Sequence, residues 1–171
     1  MISKDQVSYL DLLIEQLQKK GVDVFFHSKL NHLINDEYSF NQKFPVLTCT
    51  EDLLCSHIDL LLSVGGDGTM LHSALLAKDS GIPMLGINLG RLGFLAIVEK
   101  NMIHEAVAKL VAGQYTIESR SLLQLNTEPQ IFPGENIALN DCTVHKSLSP
   151  SVITVRTFLN DKFLSSYWVD G

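Results

Sequence analysis

One segment of the sequence combines residue types at a spacing that could handle phosphate: Gly65-Gly66-Asp67-Gly68-Thr69, placed directly after the apolar run Ile58 to Val64. Glycine after a buried strand permits φ > 0 and lets backbone approach a ligand closely, and the N-terminus of a following helix presents unpaired N–H groups to an anion. Thr69 adds a hydroxyl donor at the helix start. The spacing excludes two familiar phosphate loops. No Gly-Lys-Ser/Thr closes the segment, as a Walker A loop requires, and Leu71 stands where a dinucleotide fingerprint beginning at Gly66 needs glycine.

Asp67 gives the loop its chemistry. A carboxylate among phosphate-binding amides repels phosphates unless a metal ion or a hydroxyl group sits between them. In phosphoryl transfer an acceptor hydroxyl must be oriented and must lose its proton as it attacks, and a well-placed aspartate can take that proton. The plainer alternative is that Asp67 caps the following helix at Gly68; three flanking glycines favour the chemical role. His72, one turn beyond Gly68, can face the same ligand from the loop mouth, although a helix histidine is commonly a surface or packing residue. Asn140-Asp141 supplies donors and acceptors together, and its simpler reading is a β turn. Because the pair lies inside the β-type run Ile137 to Val144, the site reading is favoured.

These residues are positioned by a recognisable series of elements. Val7, Leu10, Leu13, Ile14 and Leu17 form a helical apolar stripe that Gly21 ends. Val22 to Phe26 and Ile58 to Val64 read as strands, the second buried on both faces. A helix from Met70 to Lys78 should carry Leu71, Ala74 and Leu75 inward, followed by a strand from Pro83 to Asn88. Strand, loop, helix and strand make a βαβ unit, whose ligands bind beyond the carboxyl ends of its strands. A further helix spans about residues 101 to 112. From Tyr115 the pattern becomes short β runs at 122–125, 137–144, 152–159 and 163–169, with Asn160-Asp161 as a turn. The expected architecture is α/β: a doubly wound, Rossmann-like βαβ domain over residues 1–113, then part of an all-β domain over 114–171. Both ends read as unfinished, with a strand expected ahead of the first helix and more β structure after Gly171.

Bulk properties narrow the class further. A chain that is 46% hydrophobic and 19% charged can build a packed core. Its net charge of −6 argues against a nonspecific nucleic-acid binder, so any phosphate site must be local. No apolar run approaches the roughly 20 residues that cross a bilayer, and Met1 to Asp5 lacks the apolar stretch of a signal peptide, so a cytoplasmic protein with no membrane partner is expected. Cys49, Cys55 and Cys142 include no Cys-x-x-Cys pair and suggest neither a disulfide framework nor a zinc site. His27, His32 and His57 are not at metal-site spacing, and no metal ligand is assigned.

The glycine-aspartate loop, the segment Asn88-Leu89-Gly90-Arg91-Leu92-Gly93-Phe94-Leu95, the pair Asn140-Asp141 and the terminal Asp170-Gly171 occur in the order seen in NAD kinases, and the chain resembles that family in its bacterial form. Diacylglycerol kinases, sphingosine kinases and 6-phosphofructokinases have related loops; the combination with Asn-x-Gly-x-Leu-Gly-Phe is what narrows the match. The resemblance implies transfer of the γ-phosphoryl group of ATP, with a divalent metal such as Mg²⁺, to the 2′-hydroxyl of the adenosine ribose of NAD, giving NADP. It implies that Asp67 is the general base, that Gly68 and His72 line the NAD site, that Asn140 and Asp141 hold NAD, and that Asp170 opens a second glycine-rich segment whose usual continuation does not follow here. It also implies a homo-oligomer, a dimer or tetramer. The alternatives are a lipid kinase of the diacylglycerol or sphingosine type, or an NAD-binding module without turnover.

Overall fold

The computed structural model describes residues 4–30, 43–90, 93–132, 136–145 and 152–169. It divides into two compact units, Met1–Leu139 and Asn140–Gly171.

In the first unit the apolar stripe forms α1 (Lys4–Lys19), an amphipathic helix with an exposed Lys19–Glu15 ion pair on its solvent face. Its stripe residues Leu10, Leu13, Ile14 and Leu17 join Phe26, Ile87, Ile103 and Val107 in one buried cluster. The last two come from α4 (Ile103–Val111), which follows a single 3₁₀ turn at Lys100–Met102. Hydrophobic burial at helical spacing therefore ties the first and last helices of the unit to the same face of a sheet.

That sheet holds β3 (Leu61–Val64), β4 (Met84–Asn88) and β5 (Val98–Glu99), all parallel, in the order β3-β4-β5. Leu61 pairs with Met84 and Val64 with Ile87. A shorter parallel pair joins β1 (Phe26–His27) to β2 (Val46–Leu47). The sheet is covered on both faces. Leu62, Val64 and Ile87 pack toward the α1/α4 cluster, whereas buried Ser63 faces the other way and accepts a hydrogen bond from Ser73 of α3 (Asp67–Ala77) at 3.0 Å. Alternation along the strand thus sends successive residues to helices on opposite sides, the doubly wound arrangement expected from the sequence. A short helix, α2 (Thr50–Cys55), is tied to the end of α3 by a bond from the Thr50 hydroxyl to the Leu76 carbonyl, 2.8 Å.

Three local expectations change. The strand expected over Val22 to Phe26 forms only at Phe26–His27, where β2 supplies a ladder partner; Val22 and Val24 still pack against the core. The helix after the loop begins at Asp67 rather than Met70, and Ala74 and Ala77 are its buried residues while Leu71 is 37% exposed. Small side chains let α3 lie close to the sheet, which fixes its rotation and turns Leu71 outward. The run expected from Ile137 to Val144 stops as a strand at Leu139, because Asn140 takes φ +86°, a left-handed conformation that ends a ladder.

The remaining strands are antiparallel. β6 (Leu122–Gln124) pairs with β7 (Ile137–Leu139), and β7 lies alongside α3 within the first unit. The second unit contains a hairpin of β8 (Ile153–Leu159) and β9 (Lys162–Val169), turned by Asn160 and Asp161 at φ +50° and +64°. These signs suit the primed two-residue turn that the Asn-Asp pair predicts. Among the described residues no helix is long and apolar enough to cross a membrane.

Candidate active site

The glycine loop leaves β3 at its carboxyl end and turns at once into α3. Gly65 sits at φ +154°, its N–H bonded to the Ile87 carbonyl at 2.9 Å, and a Cβ there would run into the Thr69 side chain. Glycine is therefore required at this position by backbone angle and by space. Gly66 is the N-cap, and the first carbonyl of the helix accepts from Thr69 and Met70 at 3.0 and 3.1 Å. The amides of Asp67 and Gly68 precede those bonds and have no intrahelical acceptor. A Cβ at Gly66 or at Gly68 would meet nothing within 4 Å. Packing within the protein does not demand these two glycines, which open one side of the loop.

Asp67 occupies the first turn of α3 and does not cap it: the helix has no side-chain cap bond. Its carboxylate instead reaches the segment that follows β4. Phe94 donates its amide to Oδ2 at 2.7 Å, and Leu95 and Ala96 donate theirs to Oδ1 at 2.9 and 3.1 Å. These three N–H groups, Phe94 first, then Ala96 and Leu95, hold the Asp67 carboxyl below the usual carboxylate pKa, against a smaller opposing effect of burial. The charge also sits at the positive end of a helix, which favours it further. Gly93 makes the approach possible, since a Cβ there would stand 2.5 Å from the Asp67 Cγ.

The neighbouring turn is built in the same way. Asn88, the last residue of β4 and 3% exposed, accepts the Gly90 amide on Oδ1 at 2.8 Å. Gly86, paired with Ser63, allows Ala96 to pack over the strand: a Cβ on Gly86 would come within 2.6 Å of the Ala96 Cα. Of the glycines that follow β4, Gly93 has a structural use, since a Cβ there would enter the Asp67 carboxylate. The backbone that follows it, Phe94 to Ala96, supplies the donors that hold the loop aspartate. Sequence reasoning missed the amides of Phe94, Leu95 and Ala96 because main-chain donors leave no residue-type signature. The available signal was the occurrence of both glycine motifs in one chain.

The other sequence candidates are distributed as follows. Gly68 is exposed beside Asp67, and His72 is exposed on α3 one turn further on. Asn140 and Asp141 are exposed and begin the second unit. Asp170 lies outside the described residues. Among the described residues no group of three or more His, Cys, Asp or Glu side chains is placed to hold a metal ion.

Comparison with known proteins adds a consistent result. The family model for the ATP-NAD kinase N-terminal domain matches residues 3–115. An NAD kinase of Cytophaga hutchinsonii is 37% identical over 169 residues, covering 98% of this chain and 57% of that protein. An NAD kinase of Flavobacterium johnsoniae is 38% identical over 162 residues, covering 89% of this chain and 55% of the relative. The chain therefore spans little more than half the length of these relatives. Among solved structures, that of yeast NADH kinase complexed with NADH shares the fold with a TM-score of 0.70 over 96% of this chain and 52% of that one, at 19% identity.

Proposed function

The chain belongs to the NAD kinase family, and from that premise we propose that the protein it represents phosphorylates the 2′-hydroxyl of the adenosine ribose of NAD, with ATP as donor, to give NADP. The observation that carries this reading is the meeting of the two glycine motifs at one carboxylate: Asp67 of the first accepts three consecutive amides of the second. An ionised, immobilised acceptor beside an open glycine face suits a reaction in which a neutral hydroxyl must be aimed at phosphorus.

In the proposed step the ribose oxygen attacks the γ-phosphorus of ATP. The new O–P bond forms as the bond to the β,γ-bridging oxygen breaks, ADP leaves, and the hydroxyl proton passes to Asp67. The lowered pKa of Asp67 makes it a weak base toward an unreacted hydroxyl. It orients that hydroxyl in the ground state and accepts the proton late, once bonding to phosphorus has acidified it. The amides of Asp67 and Gly68, which have no intrahelical acceptor, and the space over Gly66 and Gly68 favour close approach of an anionic or ribosyl group. The family resemblance extends the proposal to His72, Asn140, Asp141 and Asp170 as residues that contact NAD. The divalent cation would arrive on the triphosphate, since Mg²⁺ is commonly held by phosphate oxygens, water and one or two carboxylates, and it would neutralise charge on the transferred group.

The division of labour proposed is an α/β domain over residues 1–113, supported by the family match over 3–115, followed by the start of a β-rich NAD-binding domain. A cytoplasmic homo-oligomer that binds NAD and ATP, with neither nucleic acid nor membrane as partner, completes the proposal; the net charge of −6 supports the exclusion of nucleic acid. The test is to extend the protein to the length of its relatives, incubate it with ATP, Mg²⁺ and NAD, and assay NADP. NADP formation is expected. Its absence, or phosphorylation of diacylglycerol with NAD ignored, overturns the proposal, and sedimentation of the same preparation reads the oligomeric state.

A further inference from the structure

We infer that the Gly93–Ala96 turn is the positioning element for the Asp67 side chain, and that the donors among the described residues leave a single acceptor position, on Oδ2, open to an incoming hydroxyl. An ionised carboxylate offers about four lone-pair positions, two on each oxygen. Leu95 and Ala96 fill both on Oδ1, whereas Phe94 fills one on Oδ2. A carboxylate held on both oxygens cannot turn about its Cβ–Cγ bond without breaking these bonds, so the open position keeps a fixed direction relative to the loop. It fits one hydroxyl. A vicinal diol gripped by both oxygens, or a cation bound bidentately, would have to displace an amide first.

The donors are main-chain groups, so side-chain changes at Phe94, Leu95 or Ala96 leave them in place. The position that controls them is Gly93, where any Cβ would enter the carboxylate. The charged groups that the described neighbours of α3 bring are few: α2, tied to the far end of α3, carries Glu51 and Asp52. Among the described residues, the strands packed against α3 bring Leu61–Val64, Met84–Asn88 and Ile137–Leu139, none of them ionisable, and the segment after β4 brings Gly93, Phe94, Leu95 and Ala96. The ionisable residues of α3 are Asp67 itself and His72. That the open position receives a ribose hydroxyl rests on the function proposed above; the holding of the carboxylate does not.

The experiment follows the Asp67 carboxyl carbon by NMR in the 171-residue chain as pH is lowered, together with hydrogen exchange at the Phe94, Leu95 and Ala96 amides. Wild type is expected to titrate below the ordinary aspartate range. Gly93→Ala should bring the midpoint back toward that range and speed exchange at the three amides by about tenfold or more, the worth of a lost hydrogen bond to a charged group. An ordinary midpoint in wild type, or a folded Gly93→Ala protein with midpoint and exchange unchanged, overturns the inference. Should Gly93→Ala fail to fold, Asp67→Asn gives the decisive exchange measurement: faster exchange supports the inference and unchanged exchange overturns it. In the extended protein Gly93→Ala should lower kcat by about 10²-fold, the usual cost of displacing a reacting group, with the KM for NAD changed much less. A wild-type protein that makes no NADP refutes the kinase reading alone, because titration and exchange need no substrate.

Discussion

The Asp67 carboxylate and the Phe94 amide stand 2.7 Å apart although 27 positions separate the two residues in the chain. This bond and its two neighbours couple the start of α3 to the turn after β4, so the loop aspartate serves both the fold and the proposed chemistry.

Acid should weaken the fold partly through this contact. Asp67 has a folded pKa below its ordinary value of 3.8, so its contribution to stability is complete above that value and is lost as pH falls through the lower, folded one. Urea midpoints measured from neutral pH down to about pH 2.5 should therefore fall more steeply for wild type than for Asp67→Asn. Parallel curves would mean that the three amides do not favour the charged form.

Turnover should separate Asp67 from another carboxylate with a lowered pKa. Asp52, in the first turn of α2, accepts the Thr48 hydroxyl and amide at 2.6 and 2.7 Å and is held down by them. In the extended protein Asp67→Asn is expected to cut kcat by roughly 10²-fold or more, the usual worth of a positioned base. Asp52→Asn should leave it near wild type. Comparable losses in both variants would assign the effect to the fold rather than to proton transfer.

Gly68→Ala should divide stability from activity. The position is helical, and a Cβ there meets nothing within 4 Å, so alanine should raise stability by about 0.5–1 kcal/mol. The same methyl group would occupy the open face of the loop, and NAD binding by calorimetry and turnover should both suffer. A stabilised variant with unimpaired binding would remove Gly68 from the site.

Gly86→Ala is expected to do the opposite. Its Cβ would press on the Ala96 backbone at 2.6 Å inside a buried strand, and overpacking of this kind costs about 1–3 kcal/mol. Denaturant unfolding should show the loss. Because Ala96 carries one of the Asp67 donors, the exchange rate of its amide should rise as well.

Much of the architecture is legible in residue order. The stripe Leu10, Leu13, Ile14 and Leu17, the apolar run into Val64, and the glycines around Asp67 each follow local rules of periodicity and backbone freedom, and they suffice for a βαβ unit with a ligand loop at the carboxyl end of a strand. The turn at Asn160-Asp161 is equally local.

What the sequence by itself determined is where the glycines and the apolar stripes stand and which elements they build, because side-chain type, period and glycine placement are properties of short stretches. Tertiary structure decided what those stretches do to one another. It turned Leu71 outward through the close fit of Ala74 and Ala77, ended a strand at Asn140, and directed the Asp67 carboxylate away from its own helix and onto the amides of Phe94, Leu95 and Ala96. Every residue except proline carries the same backbone N–H, so the sequence does not mark which donors will meet which acceptor. That choice depends on strands from distant parts of the chain lying side by side, and on Gly93 leaving room for the carboxylate between them.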